Sequence, residues 1–113
     1  MLEKKIGKIT NVKFGRGGYQ DAMMGISVSL GSDKDSWSVG DFKGTWGVDT
    51  EVSEYAKWTE EDRQKHFGEV MTFVNELLLK AKKYNVADLK GVPVEVTFEG
   101  NTLKSWRILE EVL

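Results

Sequence analysis

The chain has 113 residues, 30% of them charged and 40% hydrophobic, and a formal net charge of −2. That is enough for one modest core and a single domain, residues 1–113, and charges of mixed sign exert no overall pull on a polyanion, so no long nucleic acid is expected as a partner. With no cysteine and one histidine, a disulfide frame, a thiolate metal site, a cysteine nucleophile and a multi-histidine zinc site are all excluded.

The first residues, MLEKKIGKI, lack the apolar core of a signal peptide, and no apolar run approaches the roughly 20 residues that span a bilayer. No leader and no membrane association are expected. Lys4, Lys5, Lys8, Lys13 and Arg16 read as a solvated strand face. Lys5–Phe14 is strand-like, with Ile6, Ile9, Val12 and Phe14 apolar. The phase breaks between Ile6 and Ile9, which predicts a bulge or bend near Gly7. Gly15–Gly18 reads as a turn. Ala22–Leu30 alternates, with Met24, Ile26, Val28 and Leu30 on one face, as in a half-buried strand. After a polar turn over Gly31–Ser36, Trp37–Phe42 is a third short strand, completing an antiparallel meander. Thr45–Val48 reads as extended and Glu51–Ala56 as loop.

Thr59 then caps a helix whose first turn carries Glu60, Glu61 and Asp62 against the helix dipole. Phe67, Val70, Met71, Val74, Leu77, Leu78 and Ala81 recur at helical spacing as its buried face, and Asn85 is the expected left-handed cap. Val92, Val94, Val96 and Phe98 alternate with polar residues in a strand that Pro93 can open. Gly100-Asn101 reverses the chain into Thr102–Leu109. A three-residue loop through Thr102 sets Val96 opposite Trp106, Val94 opposite Ile108 and Glu95 opposite Arg107. That register keeps one face apolar and pairs opposite charges on the other. The predicted fold is α+β: an antiparallel sheet, in the order β-β-β-α-β-β, with one long amphipathic helix packed on one face.

Few residues suggest chemistry. His66 is a helix residue without a nucleophile nearby in the sequence, and Asp33-Lys34-Asp35 lacks the further oxygen ligands of a calcium loop. No cofactor or metal is expected. Nine of the twelve glycines lie in the first fifty residues. Two glycine-rich stretches there each combine a cation with aromatic residues. One is Gly15–Asp21, with Arg16, Gly17, Gly18, Tyr19 and Asp21. The other is Asp41–Trp46, with Asp41, Phe42, Lys43 and Trp46. In a meander the turns after the first and third strands lie at the same end of the sheet. The two stretches are therefore expected to converge on one concave surface suited to an anionic, aromatic ligand. The competing reading places Trp37, Phe42, Trp46, Tyr55 and Trp58 in a satellite core under a long loop.

The segments GGYQDAMMGISVSLG, GDFKGTWG, KWTEEDR and PVEVTFEGNTLKSWRILEEVL resemble small proteins encoded by phages and prophages, and together they cover most of the chain. The resemblance transfers no residue roles. It implies an accessory protein in the cytosol of an infected bacterium, and proteins of that kind often antagonise host defence. The expected function is therefore non-catalytic binding, of a small anionic nucleotide signal or of a host defence protein. A structural protein that homo-oligomerises through its sheet is the alternative, and a small enzyme is a remote one.

Overall fold

The computed structural model describes residues 1–113. Five strands and one long helix follow in the expected order: β1 Leu2–Gly17, β2 Met23–Ser32, β3 Trp37–Trp46, α1 Glu60–Ala81, β4 Pro93–Glu99 and β5 Thr102–Ile108. All strand pairings are antiparallel, in the order β3-β2-β1-β4-β5. The long β1 serves two partners. Leu2–Lys8 pairs with β4 and Lys8–Gly17 with β2. The sheet curls until its edges approach, and the Trp106 indole of β5 donates a 2.8 Å hydrogen bond to the Asp41 carboxylate of β3.

The bulge in β1 lies between Ile9 and Asn11, not near Gly7. Lys5, Gly7 and Ile9 point inward before it, and Val12 and Phe14 take the inner side after it. Ile6 is consequently 57% exposed while Ile9 is fully buried. The inner position at Gly7 is filled from across the sheet. A Cβ there would lie 2.7 Å from Trp37 Cζ2, so the indole occupies the space a side chain at position 7 would need. Trp37 in turn meets Phe98 edge-on at 5.4 Å.

Helix α1 starts where expected. The Thr59 hydroxyl accepts from the Asp62 amide at 3.1 Å, and the Asp62 carboxylate accepts from the Thr59 amide at 2.8 Å, a reciprocal capping box. Val70, Val74, Leu77 and Ala81 are buried against Ile9, Ile26, Val28, Leu30, Val94, Val96 and Ile108. Phe67 and Leu78 are half-buried. Met71 departs from the predicted face and is 55% exposed, while Phe73 packs on the core instead. The left-handed cap is Lys82 (φ 59°), and Asn85 is extended (φ −127°). Three lysines close the helix, and the chain turns three residues earlier than the Asn85 signal suggests.

The β4–β5 register is as expected, with Glu95 opposite Arg107, Val96 opposite Trp106 and Val94 opposite Ile108. Its cause differs. Glu99 pairs with Thr102, so the turn is the two residues Gly100-Asn101, and a bulge at Lys104 restores the phase. Arg107 donates to Glu95 at 3.2 Å and bidentately to Glu111 at 2.9 and 3.0 Å. Those bonds from Arg107 hold the Glu111 carboxyl down at about 2 against an ordinary 4.5. A depressed carboxyl pKa stabilises the fold above the ordinary value and stops doing so as pH falls through the folded one. In an NMR titration Glu111 is therefore expected to stay ionised through the usual carboxylate range and to release Arg107 only near pH 2. A midpoint near 4.5 would show the pair to be open in solution.

Candidate functional site

Strand alternation assembles a distinctive outer face on β1, β2 and β3. Read across the strands, its rungs are Asn11/Ser29/Gly40, Lys13/Ser27/Phe42, Gly15/Gly25/Gly44 and Gly17/Met23/Trp46. The middle of the face is floored by glycine and serine. Gly25 and Gly44 are required by the crossing of β2 and β3. A Cβ on Gly25 would lie 2.5 Å from the Gly44 Cα, and one on Gly44 would lie 2.5 Å from Phe42 Cζ. The Phe42 ring therefore lies across the glycine rung, shielding backbone that has no side chains of its own. Gly15 and Gly17 are different, since a Cβ on either meets nothing within 4 Å.

The β1–β2 turn and the end of β3 do converge. The turn is tight, with Gly18, Gln20 and Asp21 all at positive φ (68°, 52° and 55°). A Cβ on Gly18 would come within 2.9 Å of the Met23 sulfur. Tyr19, 66% exposed, meets the Trp46 ring edge-on at 6.3 Å. Trp46 stacks on Trp58 at 6.3 Å with 19° between the rings.

The segment after β3 is fixed by two arginines. Arg63 of α1 is 2% exposed. It donates to the carbonyls of Gly47 and of Thr50 (2.7 Å), pairs with Glu60 at 2.7 Å and lies over the Trp58 ring at 4.9 Å. Arg16 grips the Asp49 carboxylate bidentately at 3.2 and 3.0 Å and reaches the Asp21 carbonyl at 3.5 Å. The hydrogen bond between Arg16 and Asp49 lowers the Asp49 pKa and raises that of Arg16. Arg16 thus fastens the segment after β3 to the β1–β2 turn, and an anion would have to displace Asp49 to use it.

Of the nine residues expected to share a surface, Gly17, Gly18, Tyr19, Phe42 and Trp46 lie on the outer face or at its end and Asp21 borders it in the turn, while alternation sends Arg16 to the opposite side with Met24 and Thr45. Asp41 and Lys43 do not join them. Asp41–Trp46 is part of a strand rather than a loop, and alternation sends both side chains to the opposite side. There Asp41 binds Trp106 and Lys43 lies beside Lys65 and Glu69 of α1. Lys13, Met23 and Trp58 complete the face. Lys13 and Met23 follow from the β1–β2 register and Trp58 from its stack on Trp46, none of which can be read from local sequence. The aromatic set splits between the two readings: Trp37 packs on the core, Trp46 and Trp58 are half-buried, and Tyr55 is 86% exposed.

Cavities lie elsewhere, between β5 and α1 beside Phe73 and Trp106, and along the outer side of α1 beside Leu79 and Tyr84. No helix is long and apolar enough to cross a membrane. No protein-family model, curated protein or solved structure matches the chain.

Proposed function

We propose that the chain is a non-catalytic binding protein that holds an extended single strand of nucleic acid along the outer face of β1, β2 and β3. The observation that carries this reading is the face itself: a strip with a serine floor, Lys13 on the β1 side, and Phe42, lying over the glycine rung, and Trp46 on the β3 side. Four residues of strand separate the two aromatics by about 13 Å. Bases stack on aromatic rings whatever their identity, and a cation beside them meets the phosphates. A small nucleotide signal asks for something else, a concave pocket that encloses most of its surface.

The topology supports the same reading by analogy. A curled five-stranded sheet in which β1 pairs with both β2 and β4, the helix sits between β3 and β4, and the edges β3 and β5 approach at the Trp106–Asp41 hydrogen bond has the chain order of the OB-fold barrel. In such barrels the face of the second and third strands binds oligonucleotides and oligosaccharides. Architecture alone assigns no function, so the weight rests on Phe42, Trp46 and Lys13. On this reading the accessory role in an infected bacterium is exercised on single-stranded nucleic acid, in place of the nucleotide signal or defence protein expected from the sequence.

The test is fluorescence anisotropy with a labelled oligo-dT and with a duplex of the same length. The single strand is expected to bind and the duplex to bind much more weakly. Phe42→Ala and Trp46→Ala are each expected to weaken binding about 5- to 150-fold, the equivalent of about 1–3 kcal/mol per stacked base. Lys13→Ala should reduce the salt slope by about 0.7. An oligonucleotide that fails to bind, or binds these variants as it binds the parent, removes the proposal.

A further inference from the structure

Helix α1 has a second side that the fold leaves uncovered. Its core side is centred on Val70, Val74 and Leu77. A third of a turn away runs a stripe of Gln64, Gly68, Met71, Asn75, Leu79 and Lys82. Met71 is 55% exposed, Leu79 is 69% exposed, and Leu78 at the margin is half-buried. Gly68, Met71, Asn75, Leu78 and Lys82 are spaced three, four, three and four residues apart, the spacing of a helix-pairing seam.

Gly68 is the telling residue. Glycine inside an exposed helix costs about 1 kcal/mol relative to alanine. Nothing in the fold explains it, because a Cβ there meets no atom within 4 Å. A glycine at such a position lets a second helix approach closely.

We infer that this stripe is the contact surface of a homodimer in which two α1 helices pack antiparallel about a two-fold axis beside Met71 and Thr72. The charges are self-complementary in that arrangement and in no parallel one. The first turn carries Glu60 and Glu61, and the last residues carry Lys80, Lys82 and Lys83. An antiparallel neighbour sets Glu61 against Lys82 at each end, Gln64 against Leu79, and Gly68 against Asn75. The glycine admits the asparagine, whose amide can bond across the seam and fix the register as buried polar residues do in paired helices. The helix dipoles also oppose. Twenty-two residues give a seam of about 33 Å. Self-association is thus placed on the helix rather than on the sheet edge, and it leaves the outer face of β1, β2 and β3 free.

Sedimentation velocity on the full chain over a concentration series tests this independently of any ligand. A reversible dimer is expected. Leu79→Glu should give a monomer whose thermal midpoint equals that of the parent diluted until it too is monomeric, because Leu79 supports nothing within one copy. Glu61→Lys and Lys82→Glu should each weaken the dimer about three- to tenfold, and the double variant should restore it. A monomeric parent protein overturns the inference. So does a dimer that survives Leu79→Glu, or a double variant no better than its singles.

Discussion

Arg63→Met is expected to destabilise the protein by about 2–5 kcal/mol, the cost of leaving two carbonyls without their charged donor at about 1–3 kcal/mol each. The guanidinium is 2% exposed. Its loss leaves the Gly47 and Thr50 carbonyls without their donor, ends the ion pair with the exposed Glu60 carboxylate and removes the cation from the Trp58 ring. Methionine fills much of the volume, so the change isolates the polar contacts. Arg63→Lys is expected to recover only a minor part. One ammonium cannot present a planar fork to two carbonyls, meet a carboxylate and lie flat on an indole at once. Chemical denaturation of the three proteins measures this. If both variants unfold within about 1 kcal/mol of the parent, Arg63 is not the anchor of the segment between β3 and α1.

Gly25→Ala is expected to cost about 1–3 kcal/mol, or more, as overpacking against atoms that cannot give way. The new methyl would sit 2.5 Å from the Gly44 Cα and 3.0 Å from the Lys43 carbonyl carbon. Both are backbone, so no rotamer change relieves the clash, and β3 must move with Phe42 upon it. Gly15 on the same rung is the internal control. Its Cβ meets nothing within 4 Å, so Gly15→Ala is expected to stabilise by about 0.4–1 kcal/mol through the unfolded chain. Equal effects at the two positions would show that β2 and β3 do not cross as closely as described.

The contrast between Arg63 and the β4–β5 hairpin shows what local sequence carries and what it does not. Alternation in Val92–Phe98 and the Glu95/Arg107 pairing are short-range signals that give the register, whereas the two-residue turn and the compensating bulge at Lys104 are not legible in them. Thr59 as the helix cap is equally plain, though the return bond from Asp62 is not. Arg63 was not, since an arginine one turn into an acidic helix start reads as a solvated charge. Its partners, Gly47 and Thr50, come from a segment whose path depends on the whole sheet. The same holds for the outer face. Gly17, Tyr19 and Trp46 were legible as candidates because glycine and aromatics stand out. Asp41 and Lys43 are not separable from Phe42 by local sequence, because the glycines of Asp41–Trp46 suggest a loop and so hide the alternation of a ten-residue strand. Nothing local marks Gly7 rather than Ile6 as the inward residue, because Trp37, which fills the space above Gly7, lies thirty positions further on.

The division of β1 between two partners also governs the order in which the chain can assemble. Its second half meets β2 after one tight turn, so a three-stranded meander can form as soon as Trp46 has been synthesised. Its first half cannot, because Leu2 pairs with Glu99 and Lys8 with Pro93, near the other end of the chain. Contacts so distant in sequence form slowly, and on the ribosome the segment Leu2–Lys8 must wait as an open strand edge until β4 has been made. Such edges recruit other chains unless charge deters them. Lys4, Lys5 and Lys8 supply that deterrent before the strand that will cover them exists.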